Sequence, residues 1–241
     1  MMNLAVTQKT YVDFSNQCIS EDMIPDLREK QSVRMVAASG ALQPLLAHMA
    51  SDCHQIVSLN ISACDISALD LDTLAGVVSK ETLVWFEAAN LKPLTSQDMT
   101  ALLSALNRDC RLLNLGNPVF TDDPQALPCL SLLASFEKLE SLSLKEWYPV
   151  GDADLMALPT SITDLDISGI PLASFGFLSR LPAVKELDLD GGPLSLAAQA
   201  SLVAVLSDRT AVRVRIGMSR LPQERAVSMA TMAKLAHVAF Y

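Results

Sequence analysis

The sequence predicts an α/β solenoid, with a curved parallel sheet on the concave face, helices and short turns on the convex face, and helical caps. Three observations lead there. The stretch "ITDLDISGIPL", Ile162 to Leu172, has apolar residues at its first, fourth, sixth, ninth and eleventh positions, with acid or hydroxyl side chains in most gaps. Six other stretches follow this spacing with the ninth place variable: "IVSLNISACDI" from Ile56, "LVWFEAANLKP" from Leu83, "CRLLNLGNPVF" from Cys110, "LESLSLKEWYP" from Leu139, "VKELDLDGGPL" from Val184 and "AVRVRIGMSRL" from Ala211. The starts at 56, 83, 110, 139, 162, 184 and 211 lie 27, 27, 29, 23, 22 and 27 residues apart. Finally, half of the 241 residues are hydrophobic but only 5% are aromatic, so the core must come from Leu, Ile, Val, Ala and Met, which suit regular stacked elements.

Taken in order, residues 1–19 have few apolar anchors and are expected to form a flexible N-terminus. Residues 20–55, with "EDMIPDLREKQ" and "GALQPLLAHMASDC", read as a helical cap over the first strand. Residues 56–221 are the array of about seven units. Alternation at the fourth to sixth positions of each unit makes a short strand with one buried face. The chain must then return over the core so that the next strand lies parallel to the last. Where the spacing is 27 to 29 the return reads as a helix: "TSQDMTALLSALNRD", with a Thr95/Ser96 cap and Asp98 in its first turn, "SLAAQASLVAVLSDR", and "QALPCLSLLASF" with Pro128 at the helix start. Where it is 22 or 23, as in "ASFGFLSRLP", only a short helical or 3₁₀ turn fits. Residues 222–241 read as an amphipathic capping helix. No unit can bury its own apolar face, so stacking supplies the stability and the terminal units need caps.

The period and internal pattern resemble the leucine-rich repeat, L-x-x-L-x-L-x-x-N/C-x-L, over about two thirds of the chain. In that family an Asn or Cys at the ninth position hydrogen-bonds the turn after the strand. Cys64 carries it in the first unit, while Leu91, Pro118, Trp147, Ile170 and Gly192 stand there later. The irregular unit lengths and small caps resemble bacterial members of the family, some of which are effectors delivered into host cells by a type III apparatus.

Charge narrows the function. A net charge of −9 and a pI near 4.7 disfavour nucleic acid and anionic membranes, both of which are bound through Lys and Arg. No apolar run is long enough to span a bilayer, and the N-terminus lacks a Sec-type signal. Cys18, Cys53, Cys64, Cys110 and Cys129 are odd in number and lack CxxC spacing, so they read as reduced thiols, mostly buried. The expected location is the cytoplasm, or a host cell reached without a Sec-type signal. "NIS" at Asn60 is a formal glycosylation sequon placed on a strand and is discounted.

Chemistry-bearing motifs are sparse. Glu186, Asp188, Asp190 and Gly191 follow the order of an EF-hand loop, and "DLDISG" nearly repeats it, but the twelfth positions are Ala197 and Phe175 rather than the required Glu. Adjacent Cys53 and His54 do not make a catalytic dyad, the other histidines being His48 and His237. There is neither a phosphate-binding glycine motif nor a zinc spacing. No metal or cofactor is expected.

The informative surface is the concave one, onto which the second, third, fifth, seventh and eighth positions are expected to point. The third position runs Ser58, Trp85, Leu112, Ser141, Asp164, Glu186, Arg213, and the fifth Asn60, Glu87, Asn114, Ser143, Asp166, Asp188, Arg215. Three regions follow: an apolar patch at Trp85 and Leu112, an acidic patch from Asp164 to Asp190, and a basic edge at Arg213 and Arg215. An exposed Trp beside a Leu has the character of an interface anchor, and acids facing a basic partner would steer it. The equal alternative is a merely soluble sheet, with Trp85 tucked against a neighbouring strand. The expected function is a non-enzymatic, monomeric module that binds a protein partner. The alternative is the recognition half of a larger enzyme, such as a bacterial leucine-rich repeat ubiquitin ligase. Such enzymes carry a separate catalytic domain, and only about 20 residues follow the last repeat here.

Overall fold

The computed structural model describes residues 10–65, 71–91, 94–122, 128–148, 150–191, 194–207, 209, 212–216 and 239–240. The chain divides into two compact units, Met1–Asp123 and Pro124–Tyr241.

In chain order the first unit contains β1 (Tyr11–Asp13), β2 (Cys18–Ile19), β3 (Ser32–Arg34), β4 (Ser39–Gly40), α1 (Leu42–Asp52), β5 (Ser58–Asn60), α2 (Leu71–Val78), β6 (Trp85–Glu87), α3 (Ser96–Ala105) and β7 (Leu112–Asn114). Strands β1, β3, β5, β6 and β7 pair in that order, each parallel to the next, and β2 pairs with β4 separately. The second unit contains β8 (Ser141–Ser143), α4 (Asp152–Leu155), β9 (Asp164–Asp166), β10 (Glu186–Asp188), α5 (Leu196–Leu206), β11 (Arg213–Arg215) and β12 (Ala239–Phe240), with 3₁₀ segments at Pro128–Ser135 and Gly176–Arg180. Its strands pair in parallel as β8-β9-β10-β11-β12.

Strands β3 and β5 to β11 are three residues long and bury their middle side chains, whereas Val12 of β1 is half-buried. Leu59, Phe86 and Leu113 in the first unit, and Leu142, Leu165, Leu187 and Val214 in the second, are at most 2% exposed. The sixth positions, among them Ile61, Ala88, Leu115, Leu144, Ile167 and Leu189, are buried behind them. Hydrogen bonds between coils continue past the strand. The N–H of the sixth position donates to the fifth-position carbonyl of the next coil, as in Ile61 to Glu87 (2.8 Å) and Ile167 to Asp188 (3.0 Å). The N–H of the eighth position donates to the seventh-position carbonyl of the next coil, as in Ala63 to Ala89 (2.7 Å) and Gly169 to Asp190 (2.9 Å).

This second bond requires a left-handed residue at the eighth position. Gly169 and Gly191 supply it freely, but Ala63, Asn90, Asn117 and Glu146 adopt it too, at φ of 53–59°. An Ala in that region is strained by about 1–2 kcal/mol, more than the flexibility a Gly introduces. Ala63→Gly is therefore expected to raise stability by about 0.5–1 kcal/mol, read as a higher urea midpoint at an unchanged slope; a lower midpoint would contradict the account.

The return segments differ in kind, but not wholly as their lengths lead one to expect: the 29-residue unit from Cys110, expected to return through a helix like the 27-residue ones, returns through a 3₁₀ segment at Pro128–Ser135. Helix α3 begins with a capping box: Thr95 Oγ1 accepts from Asp98 N–H at 3.1 Å, and Asp98 Oδ2 accepts from Thr95 N–H at 2.9 Å. Ser195 caps α5 by accepting from Ala198 N–H at 3.1 Å. The short spacing before β10 admits only a 3₁₀ turn, at Gly176–Arg180.

The N-terminal region departs from expectation. Within residues 1–19, expected to be flexible, Tyr11–Asp13 is a strand. Within residues 20–55, expected to be helical, only Leu42–Asp52 is an α-helix and Ser32–Arg34 is a strand. "EDMIP" stops after one 3₁₀ turn at Met23, because Pro25 forces Ile24 into extended backbone (ψ 110°). Two more coils of the same kind are present. Phe14 and Asn16, like Met35 and Ala37, take the sixth and eighth positions, with the eighth residue again left-handed. Lys stands at the apolar first position of both, at 9 and 30, which hides them from the template. The expected capping helix over 222–241 lies outside the described residues except Ala239–Phe240, which form a strand beside β11.

Candidate functional site

In each unit the paired strands leave one face uncovered by the core, and two rows of side chains stand on it. In the first unit the register aligns Tyr11, Ser32, Ser58, Trp85 and Leu112 in one row and Asp13, Arg34, Asn60, Glu87 and Asn114 in the other. Trp85 is 44% exposed, although its strand neighbour Phe86 is fully buried; Leu112 is half-buried at its side. The structure thus brings the expected apolar patch together with Trp85 presented rather than tucked away. Glu87 and Asn114 are adjacent and half-buried.

In the second unit the rows are Ser141, Asp164, Glu186, Arg213 and Ser143, Asp166, Asp188, Arg215. They border an open depression of about 400 Å³. The expected basic edge is not a separate region, since Arg213 bonds Glu186 and Arg215 bonds Asp188, each at 3.1 Å. Each pair joins neighbouring strands in register, so the basic edge partly neutralises the acids beside it. Asp190 leaves the sheet face: it sits in the turn, exposed, its N–H on Asp188 Oδ1 at 3.0 Å and its carbonyl on Gly169.

The row at the fifth position has a second role that the spacing did not reveal. Its side chain accepts from the backbone N–H two residues on: Asp13 from Ser15 (2.8 Å), Asn60 from Ser62 (2.9 Å), Asn114 from Gly116 (3.1 Å), Asp166 from Ser168 (3.0 Å) and Asp188 from Asp190 (3.0 Å). These are Asx turns that end the strand. Asp166 is further held by the hydroxyl of Ser143 (2.8 Å), and the single hydroxyl proton of Ser168 is shared between Asp166 and, at 3.1 Å, Asp188 Oδ1. The seventh position is not uniformly open: Lys145 and Asp190 are exposed in their turns. Ser62 and Ser168 are buried, because the turn folds them toward the next coil. The recurring Asn, Asp or Ser at the fifth position was the available signal.

Removing such an acceptor leaves a backbone N–H without its charged partner. Asp166→Ala and Asp188→Ala are each expected to cost about 1–3 kcal/mol in a urea titration, whereas Asp164→Ala should stay within about 0.5 kcal/mol of the parent. Equal losses at all three positions would refute the division between the rows.

Cys18 is exposed, and the other four thiols are not poised for nucleophilic chemistry. Cys53, Cys64, Cys110 and Cys129 are buried, and burial pushes each thiol up, Cys110 to about 12 and Cys129 to about 11. Cys53 donates to the Lys30 carbonyl at 3.1 Å, and His54 beside it is exposed. Among the described residues, no helix is long and apolar enough to cross a membrane, and no group of three or more His, Cys, Asp or Glu could hold a metal ion.

Comparison with solved structures matches this architecture to known proteins. An internalin (inlF) from Listeria monocytogenes aligns over 96% of this chain and 66% of its own, at 16% identity and a TM-score of 0.59. The leucine-rich repeat-containing protein LegL7 from Legionella pneumophila aligns over 95% and 81%, at 18% identity and a TM-score of 0.62. The chain has the leucine-rich repeat fold. An internalin C2 (inlC2), also from Listeria monocytogenes, aligns over 89% and 82% at 14% identity and a TM-score of 0.55. The chain spans just under two thirds of the length of the first of these. No family model matches the sequence, and no curated protein does.

Within the leucine-rich repeat frame, the ninth position shows how this chain departs from the family pattern. Cys64 Sγ donates to the Met35 carbonyl of the preceding coil at 2.8 Å, a polar tie of the expected kind. Leu91, Trp147 and Ile170 instead fill the same place with buried apolar volume, Pro118 is half-buried, and Gly192 lies outside the described residues.

Proposed function

We propose that this leucine-rich repeat chain is a non-enzymatic module that captures a protein partner on the uncovered face of its sheet. The observation that carries this reading is Trp85, an indole left 44% exposed in the middle of a regular strand row, where packing makes no use of its outer surface. Large aromatic anchors of this kind supply a disproportionate share of interface energy. The bacterial neighbours in structure support a bacterial repeat protein, and delivery into a host cell is the finer form of the same proposal.

The sequence alone suggests a charge reversal at Asp166 and Asp188 as the companion test. Those two carboxylates end strands, so their loss would confuse folding with binding. Trp85→Ala is the cleaner variant. It is expected to reduce capture of a specific protein from bacterial or host lysate at least tenfold while shifting the melting temperature by no more than about 2 °C, since an exposed side chain contributes little to packing. Undiminished capture by the folded variant would overturn the reading.

A further inference from the structure

The two charged rows of the second unit differ in how their side chains are engaged. Along Asp166, Asp188 and Arg215 the carboxylates are occupied within the chain, by Ser143, Ser168, Asp190 and Arg215. Along Asp164, Glu186 and Arg213 each carboxylate is engaged through one oxygen only. Asp164 Oδ2 accepts from Thr163 Oγ1 at 2.6 Å, and no described donor reaches its Oδ1. Glu186 uses Oε1 for Arg213 at 3.1 Å, in a pair whose side chains are 66% and 56% exposed and which therefore holds its partners weakly.

Register places Asp164 directly beside Glu186, one strand spacing of about 4.8 Å away. Like charges at lateral positions of one sheet face repel. Arg213 relieves Glu186 from one side only, and Asp164 has no cation on its side of the row. Both carboxylates open into the depression of about 400 Å³, which Ser141 and Leu165 also line.

We propose that Asp164 and Glu186 together receive a Lys or Arg side chain of a polypeptide partner, and that Arg213 competes for the same carboxylate from within the chain. This rests on the protein-binding reading above and narrows the chemistry of its partner. An anionic segment would meet two carboxylates at this point, so the face selects by sign as well as by shape.

The test is fluorescence anisotropy at low salt, where exposed charges are least screened. One fluorescein-labelled peptide carries four copies of Ser-Lys-Gly, and its counterpart carries four copies of Ser-Glu-Gly. The Lys peptide is expected to bind the parent and the Glu peptide not to bind. Asp164→Asn with Glu186→Gln should weaken Lys-peptide binding at least tenfold. Glu29→Gln with Glu137→Gln, both exposed and off the row, changes net charge equally and should alter it less than twofold. Arg213→Gln should tighten binding by removing the competitor. Melting temperatures establish that each variant is folded. Equal weakening by the off-row pair would show general charge attraction only and overturn the inference. So would tighter binding of the Glu peptide, or no binding of the Lys peptide by the parent. Any of these leaves the Trp85 test of the broader reading standing, because that variant lies in the other unit and removes no charge.

Discussion

Trp147→Ala is expected to lower stability by about 3–5 kcal/mol, the usual cost of emptying a large aromatic site in a packed core. Trp147 is fully buried and stands at the ninth position of its coil, where a smaller polar residue would tie the turn by hydrogen bonds. Here the indole fills that place while backbone bonds close the turn: Trp147 N–H donates to the Leu144 carbonyl at 3.1 Å, and Val150 N–H donates to the Trp147 carbonyl at 3.2 Å. Truncation would leave a void between stacked coils that neighbours cannot fill without breaking the ladder bonds on either side. Urea unfolding followed by circular dichroism measures the loss. A change below about 1 kcal/mol would mean that the turn collapses around the smaller side chain and that the indole is incidental.

Gly40→Ala should be comparably damaging for a different reason. At φ 84° this residue is left-handed, and a Cβ there would lie 2.3 Å from the Ile19 carbonyl oxygen and 2.9 Å from the Ile19 nitrogen. Both are backbone atoms, so no rotamer change relieves the clash. The β2–β4 pairing must open, disrupting the bonds from Ser39 N–H to Gln17 and from Ala41 N–H to Ile19. Backbone strain and two lost hydrogen bonds together come to about 2–5 kcal/mol. Gly76→Ala is the contrast: in α2 the nearest heavy atom to the new Cβ is Ala50 Cβ at 3.8 Å, so helix propensity should stabilise the protein by up to about 1 kcal/mol. Melting curves of the two variants should therefore move in opposite directions. A Gly40→Ala protein that melts with the parent would show that the N-terminal coils do not couple to the rest of their unit.

The architecture was readable because its signal is local. Leu59, Phe86, Leu113, Leu142, Leu165, Leu187 and Val214 all sit at the fourth position of the template, and all are buried. A strand of three residues with one buried face needs nothing more than that alternation. The coils at β1 and β3 were hidden because a lysine replaces the first apolar anchor, so Phe14 and Met35 were too little pattern to register. The candidate surface was half legible. In its third-position row Trp85 and Glu186 are exposed as the spacing predicts, while Asp164 is half-buried. Its fifth-position row reads as the same kind of surface, yet Asp166 and Asp188 are engaged in turns.

By itself, the amino-acid order determined the period, the parallel strands and which side chains are buried, since each depends on residues within a few positions of one another. The tertiary structure alone decided which polar groups remain available. The partners of Asp166, Asp188, Glu186 and Cys64 lie partly in adjacent coils, 20 to 29 residues away in sequence. A hydrogen bond across that separation exists only once stacking has brought the coils about 4.8 Å apart.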